Sequence, residues 1–241
     1  MILRIIYEDE DIVVVNKPPG VVVHPDAHHK SGSLIQELIE KYPELKNVGE
    51  DPARPGIVHR LDKDTSGLLL ITRNQNSFRY FKEVFQKRRI KKNYLVLVIG
   101  RVKNDKGKID FPIGRSRKSP LRRVSGKGLR GKTREAVTEY YVLERFKDYT
   151  LVEAVPVTGR THQIRSHFAA IGHPVVCDRI YSGKRFRQPA DCPAELARQF
   201  LHAWKLEFIT LSGAKLGLEA DPPEDLERVL EFLRRDSVAA R

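Results

Sequence analysis

The sequence predicts an α+β domain, and three observations carry that reading. Short, nearly all-apolar runs such as 67–72 (GLLLIT) and 91–102 (KKNYLVLVIGRV) have the length and residue types of buried strands. Between them lie stretches whose apolar residues recur at helical spacing. The two kinds of element mix without the regular alternation that marks a doubly wound parallel sheet. No internal repeat or Ser/Gly-rich linker interrupts the 241 residues. A single domain over 1–241 is expected, with strand pairing left open.

In chain order, 4–16 and 20–25 read as two β runs hinged on Lys17-Pro18-Pro19-Gly20, because Pro-Gly turns the chain and valine favours strand. Residues 31–42 (SGSLIQELIEKY) place Leu34, Ile35, Leu38 and Ile39 on one helical face, with Ser31 or Ser33 as N-cap. A polar, proline-containing loop over 43–55 leads to 56–66 (GIVHRLDKDTS) and the strand 67–72. A helix over 75–88, the strand at 91–102 and strands at 135–145 and 149–157 follow. Residues 160–171 (RTHQIRSHFAAI) read as a helix stopped by Gly172, with Pro174 just beyond. A strand near 204–211 and a helix near 223–235 complete the chain.

Hydrophobic residues at 40% and charged residues at 31% suit a soluble globular protein rather than a disordered one. Lys plus Arg number 44 against 31 Asp plus Glu, a formal charge of +13. That excess favours a polyanionic partner, nucleic acid or an acidic membrane surface, over charge kept only for solubility. It is concentrated in 115–134, which carries Arg115, Arg117, Lys118, Arg122, Arg123, Lys127, Arg130, Lys132 and Arg134 with no acidic residue. Like charges keep such a loop from packing on itself. It is expected either to be a solvated loop or to grip phosphates and order on its partner. No apolar run approaches the ~18 residues of a membrane span, and the N-terminus turns acidic at Glu8, unlike a signal peptide. Cys177 and Cys192 match no metal or redox spacing, so reduced thiols and a cytoplasmic location are expected.

Asp62 and Asp64 in 56–66 invite a catalytic reading. At i and i+2 they point to opposite faces of a strand and lie ~200° apart on a helix, which disfavours a two-carboxylate glycosidase site. An Asp-x-Asp metal clamp, and with it a metal-dependent nuclease, would want further acidic ligands, whereas HRLDKD brings cations. One working aspartate is the better reading. His162 and His167 stand five apart rather than four, and His28-His29 are adjacent in a polar loop, so no metal is assigned. Arg165, if it lies on a buried helix face, needs a carboxylate partner whose ionised form it would favour.

Five stretches together resemble the RluA-type RNA pseudouridine synthases: VVVNKPPGVVVHP, GIVHRLDKDTSGLLL, KKNYLVLVIG, TGRTHQIRSHFAAIGHPVVCD and LHAWKLEF. The resemblance runs from about 5 to 212. It implies the pseudouridine synthase fold, a mixed and mainly antiparallel sheet with flanking helices and a central catalytic cleft. It further implies an isomerase that breaks the N1–C1′ bond of uridine in structured RNA, turns the uracil and joins C5 to C1′, without cofactor or metal. The aspartate of R-L-D, here Asp62, is then the catalyst, and Asp64 falls where the family varies. Arg165 would pair with Asp62, and Tyr94 would stack on the base and offer its hydroxyl for the C5 proton. Arg60 would fill the space of the flipped uridine, with His59 beside it on the RNA side. Within the basic arm, Arg115, Arg117, Lys118, Arg122, Arg123 and Lys127 would hold RNA.

Many relatives carry an accessory RNA-binding domain ahead of the catalytic one, and this chain begins almost at the first motif. Features of the motif lean toward large-subunit ribosomal RNA, and the lack of the extra domain leans toward members that also act on tRNA. The expected partner is therefore structured RNA, ribosomal or transfer, met by a monomer with no membrane association. The competing reading is an RNA-binding or ribosome-assembly factor without catalysis.

Overall fold

The computed structural model describes residues 3–25, 31–116, 123–125, 129–183, 185–186 and 189–239. Its strands are β1 (Arg4–Glu8), β2 (Ile12–Lys17), β3 (Ser66–Thr72), β4 (Lys91–Ile99), β5 (Lys106–Ile109) and β6 (Ile113–Ser116). They continue with β7 (Arg123–Ser125), β8 (Leu129–Arg134), β9 (Thr138–Arg145), β10 (Tyr149–Pro156), β11 (Leu201–Ile209) and β12 (Lys215–Glu219). The α-helices are α1 (Leu34–Lys41), α2 (Gln75–Gln86), α3 (Gln163–Ala170) and α4 (Glu224–Ala239). The fold is α+β with a mainly antiparallel sheet, as the resemblance implied, and it contains two units: Met1–Lys92 with Ala203–Asp221, and Asn93–His202 with Pro222–Arg241.

In the first unit β1, β2 and β3 form an antiparallel meander, and β11 pairs antiparallel with β12. The run 4–16, read as one strand, is divided at Asp9. Its Oδ1 accepts the N–H groups of Asp11 (2.8 Å) and Ile12 (2.7 Å), closing a side-chain turn between β1 and β2. The second expected β run, 20–25, forms no strand. Val22 and Val23 instead lend their carbonyls to the N–H groups of Leu34 (2.9 Å) and Ile35 (3.0 Å) at the start of α1. Ser33 is the N-cap, in a capping box with Gln36.

β3 is buried along its whole length, which explains a continuous apolar run in place of alternation. Leu68 and Leu70 meet Phe81 of α2 and Leu206 and Phe208 of β11 in one core. Phe81 and Phe208 pack edge to face, 5.4 Å between centroids. At Gly67, φ is +115° and a Cβ would lie 2.3 Å from the carbonyl oxygen of Ala203, so only glycine allows β3 this close to β11.

In the second unit β4, β10, β9 and β5 lie side by side, with α3 seated on them through Ile164 and Phe168. The basic arm departs from the expected loop. It contributes to a second, three-stranded antiparallel sheet in the order β7-β6-β8, with Arg115 opposite both Arg123 and Arg130. Within β6, Ile113, Gly114 and Ser116 are buried while Arg115 is exposed, so the charge stays in solvent although the backbone pairs, and the register of β6 against β8 shifts between Ile113 and Arg115. α3 is shorter than the expected 160–171, because His162 takes a left-handed conformation (φ +56°) as N-cap and the helix starts only at Gln163. Cys177 and Cys192, expected as free thiols, are disulfide-bonded across a Cα–Cα distance of 5.7 Å. Among the described residues no helix is long and apolar enough to cross a membrane.

Candidate active site

Asp62 lies in the loop that enters β3. Upstream, Gly56 (φ +68°) gives its carbonyl to the N–H and Oγ1 of Thr72, both at 3.0 Å, and a Cβ there would meet that residue's carbonyl oxygen at 2.5 Å. The chain can therefore double back along β3 only with glycine at this point. Downstream, Thr65 N–H donates to the carbonyl of Asp62 (3.1 Å) and closes a turn over 62–65. The side chains of Asp62 and Asp64 are both half-buried in this turn.

A residue the sequence reading treated only as part of a hinge holds the turn from beneath. Lys17, at the end of β2, is fully buried, and its Nζ donates to the carbonyls of Pro18, Val21 and Lys63, each at 2.8 Å. A buried ammonium needs such acceptors. Here they join the Lys-Pro-Pro-Gly segment to the carbonyl of Lys63, in the peptide that links Lys63 to Asp64, one residue beyond Asp62. The available signal was a lysine closing an apolar strand, a position where an unpartnered charge is not tolerated.

Arg60 is exposed, two residues before Asp62, and its Nη1 lies 3.4 Å from Nε2 of His24. His24 donates from Nδ1 to the carbonyl of Pro25 (2.8 Å), which leaves Nε2 as the acceptor facing Arg60. His59, expected on the RNA side, has another role in the structure. Its ring stacks on Phe85 with centroids 4.5 Å apart, and Nε2 accepts the N–H of Leu70 at 2.9 Å. Burial, reinforced by the Lys92 ammonium, pushes its pKa down to about 3. The ring is neutral near pH 7 and brings no positive charge to a phosphate. Lys92 is itself pushed down to about 8 by burial, with its Nζ 5.7 Å from the Phe85 ring centroid.

In the second unit, Tyr94 is half-buried on β4, opposite Ala154 of β10 and against the core that α3 completes. Arg165 is buried on α3 and makes a two-point pair with Asp178, Nε to Oδ2 at 2.6 Å and Nη2 to Oδ1 at 2.9 Å. The carboxylate expected for Arg165 from the resemblance was Asp62, and Asp178 was not foreseen as a partner. The guanidinium also lies 5.3 Å from the ring centroid of Tyr181. Gln163 seats the helix: its Oε1 accepts from Thr158 Oγ1 (2.7 Å) and Arg160 N–H (3.0 Å), and its Nε2 donates to the Val137 carbonyl (2.9 Å). His167 donates from Nε2 to the Phe111 carbonyl (3.0 Å) and accepts at Nδ1 from Thr138 (2.9 Å). Burial lowers its pKa, and its role is structural.

Asp62, Arg60 and His59 thus stand in one unit, and Tyr94 and Arg165 in the other. Arg115 and Arg123 face each other across β6 and β7. Arg117, Lys118, Arg122 and Lys127, like His28 and His29, fall outside the described residues. Among the described residues no group of three His, Cys, Asp or Glu side chains could hold a metal ion.

Comparison with known proteins bears on this arrangement. The signature of a family described as RNA pseudouridylate synthase matches residues 11–170. A protein of Aquifex aeolicus named as an uncharacterized RNA pseudouridine synthase is 43% identical over 98% of this chain and 74% of its own length. The ribosomal large subunit pseudouridine synthase D of Vibrio parahaemolyticus is 40% identical over 98% of this chain and 72% of its own. Among solved structures, human RNA pseudouridylate synthase domain containing 1 superposes with a TM-score of 0.74 at 26% identity, covering 97% of this chain and 95% of that one.

Proposed function

Because the chain belongs to the RNA pseudouridylate synthase family, we propose that this isomerase converts uridine to pseudouridine in ribosomal RNA, with Asp62 as its catalytic residue. Asp62 is chosen over Asp64 because it stands at the aspartate of the family's R-L-D motif, and the observation that supports it as a reacting group is the fastening of its loop. The carbonyl of Asp62 is held by Thr65 N–H and that of Lys63 by the buried Lys17 ammonium, while the Asp62 side chain stays half-exposed. A fixed main chain with a reachable carboxylate suits a group that must meet a substrate atom within a few tenths of an ångström.

The reaction breaks the N1–C1′ bond, forms C5–C1′, releases the C5 proton and protonates N1, so atoms and charge balance without an external reactant. A uracil stacked in a helix is out of reach, and its extrusion costs a few kcal/mol. Arg60, exposed and steered by His24, is the side chain we assign to the vacated space. Asp62 acts on the flipped nucleotide as nucleophile, at C1′ or at the ring, or as base toward the sugar. Tyr94 is assigned to stack on the base and take the C5 proton. Arg165, held in plane by Asp178, is assigned to keep Asp62 ionised and oriented.

The ribosomal substrate is supported by relatives named for the large ribosomal subunit and by the formal charge of +13, part of it on Arg115 and Arg123 in the three-stranded sheet. A ribosomal substrate also favours a cytoplasmic location. Tritium release from transcripts labelled at uracil C5 tests the proposal. In EDTA, release is expected from large-subunit ribosomal RNA. Release only from a tRNA pool would move the substrate, and release only with added Mg²⁺ would count against a carboxylate mechanism without metal.

A further inference from the structure

We infer that Tyr181 is a positioning residue that ties the basic three-stranded sheet to Arg165; the inference rests on the synthase reading above. Three residues converge on this buried side chain. The main-chain N–H of Arg123, at the start of β7, donates to its hydroxyl at 3.0 Å. That hydroxyl lies 3.0 Å from Nδ1 of His162, to which it can donate its own hydrogen bond. Its ring meets the His162 ring edge to face at 5.8 Å and carries the Arg165 guanidinium 5.3 Å from its centroid.

The loop that presents Tyr181 is built on the carboxylate that grips Arg165. Asp178 Oδ1 accepts the N–H groups of Ile180 (3.0 Å) and Tyr181 (3.2 Å) as well as Nη2 of Arg165 (2.9 Å). His162, the other partner of the hydroxyl, is the N-cap of α3 and sits at φ +56°. A histidine holds that conformation only where its surroundings fix it, and the Tyr181 hydroxyl is one such restraint. A shift of β7 therefore reaches Arg165 by two routes, through the helix start and through the turn at Asp178. An RNA strand bearing on Arg115 and Arg123 would in this way adjust the guanidinium assigned to the catalytic carboxylate. Binding of substrate and alignment of the site become linked.

The test compares the intact wild-type chain with Tyr181→Phe, which keeps the ring beneath Arg165 and removes only the hydroxyl. With labelled ribosomal RNA, well below the unfolding temperature, kcat is expected to fall by about tenfold while KM changes by less than about threefold. His162→Ala is expected to cost a similar factor. The double variant should be no more than about twofold worse than either single one, because both break the same tie. His162→Gln, which offers an acceptor of comparable reach, should recover part of the loss. In parallel, amide exchange in Arg123–Ser125 and in the first turn of α3 should quicken in Tyr181→Phe. An unchanged kcat, or losses that multiply, would overturn the coupling, because a merely structural tyrosine lowers only stability. Should wild type release no tritium from any RNA, the synthase reading fails on its own, and unchanged exchange at both segments would still overturn the tie.

Discussion

Replacing Lys17 by methionine tests how the Asp62 loop is held. Methionine fills a similar volume and takes away the ammonium. Three carbonyls, those of Pro18, Val21 and Lys63, then lose the donor that the fully buried Lys17 brings to each at 2.8 Å. Each such loss costs about 1 kcal/mol net, and more for a charged donor, while relief of the buried charge returns part of it. The sum is about 3 kcal/mol, which for a chain of this size lowers Tm by roughly 6–12 °C. The catalytic effect follows from position. Lys63 is the residue after Asp62, so a peptide freed from Lys17 lets the carboxylate drift, and kcat should fall by about tenfold or more. Thermal unfolding followed by circular dichroism reads the first effect, and single-turnover tritium release at a temperature where the variant is folded reads the second. A variant that melts within 2 °C of wild type would refute the assigned energetics. One that melts lower but keeps wild-type kcat would refute the link to Asp62.

Three further outcomes are expected. Acid should destabilise the fold through His59, whose folded pKa of about 3 lies below its unfolded 6.5. The unfolded chain takes up that proton first, so the stability from the neutral ring is complete above pH 6.5 and is lost as pH falls toward 3. Between pH 6.5 and 4.5 this amounts to roughly 2–3 kcal/mol in urea unfolding, and His59→Gln, which keeps an acceptor for Leu70 N–H, should flatten that dependence; an unchanged slope would show that another group titrates. Asp178→Asn replaces the carboxylate of a buried two-point ion pair with Arg165 by a neutral amide and should cost about 3–5 kcal/mol together with most of the activity, whereas wild-type stability would show that Arg165 does not depend on this pair. Cys192→Ser opens a loop of fifteen residues and should cost about 2–3 kcal/mol; two reactive thiols in the denatured, unreduced protein would show that the bond does not form.

Local signals carried much of the fold. The apolar runs at β3 and β4 and the amphipathic pattern of α1 are properties of neighbouring residues, and each element stands where its pattern placed it. Asp62, Tyr94, Arg165 and Arg60 were legible only through the resemblance, because nothing in the spacing of one aspartate distinguishes a catalyst from a solvated loop residue. What escaped the sequence depends on long-range contact. Lys17 meets the Lys63 carbonyl across 46 positions, and Arg165 finds Asp178 across 13. His59 looks like an exposed cation beside Arg60 until Phe85 and the Leu70 N–H are placed against its ring. The basic arm misled for a similar reason. Its charges forbid a packed core, but they do not forbid a sheet that leaves Arg115 and Arg134 exposed, and β6, β7 and β8 form one. Gly56 was visible as a turn residue, yet the need for it arises only from the Thr72 carbonyl, 2.5 Å from where a Cβ would stand.

The claim that organises this account is that Asp62, and not Asp64, performs the chemistry. Single-turnover tritium release from large-subunit ribosomal RNA in EDTA, with wild type, Asp62→Asn and Asp64→Asn at equal RNA occupancy, addresses it most directly. Asp62→Asn should bind RNA and release nothing above background, while Asp64→Asn stays within about threefold of wild type, as for a residue outside the reacting set. Release by Asp62→Asn, or a loss of equal depth in Asp64→Asn, would contradict it.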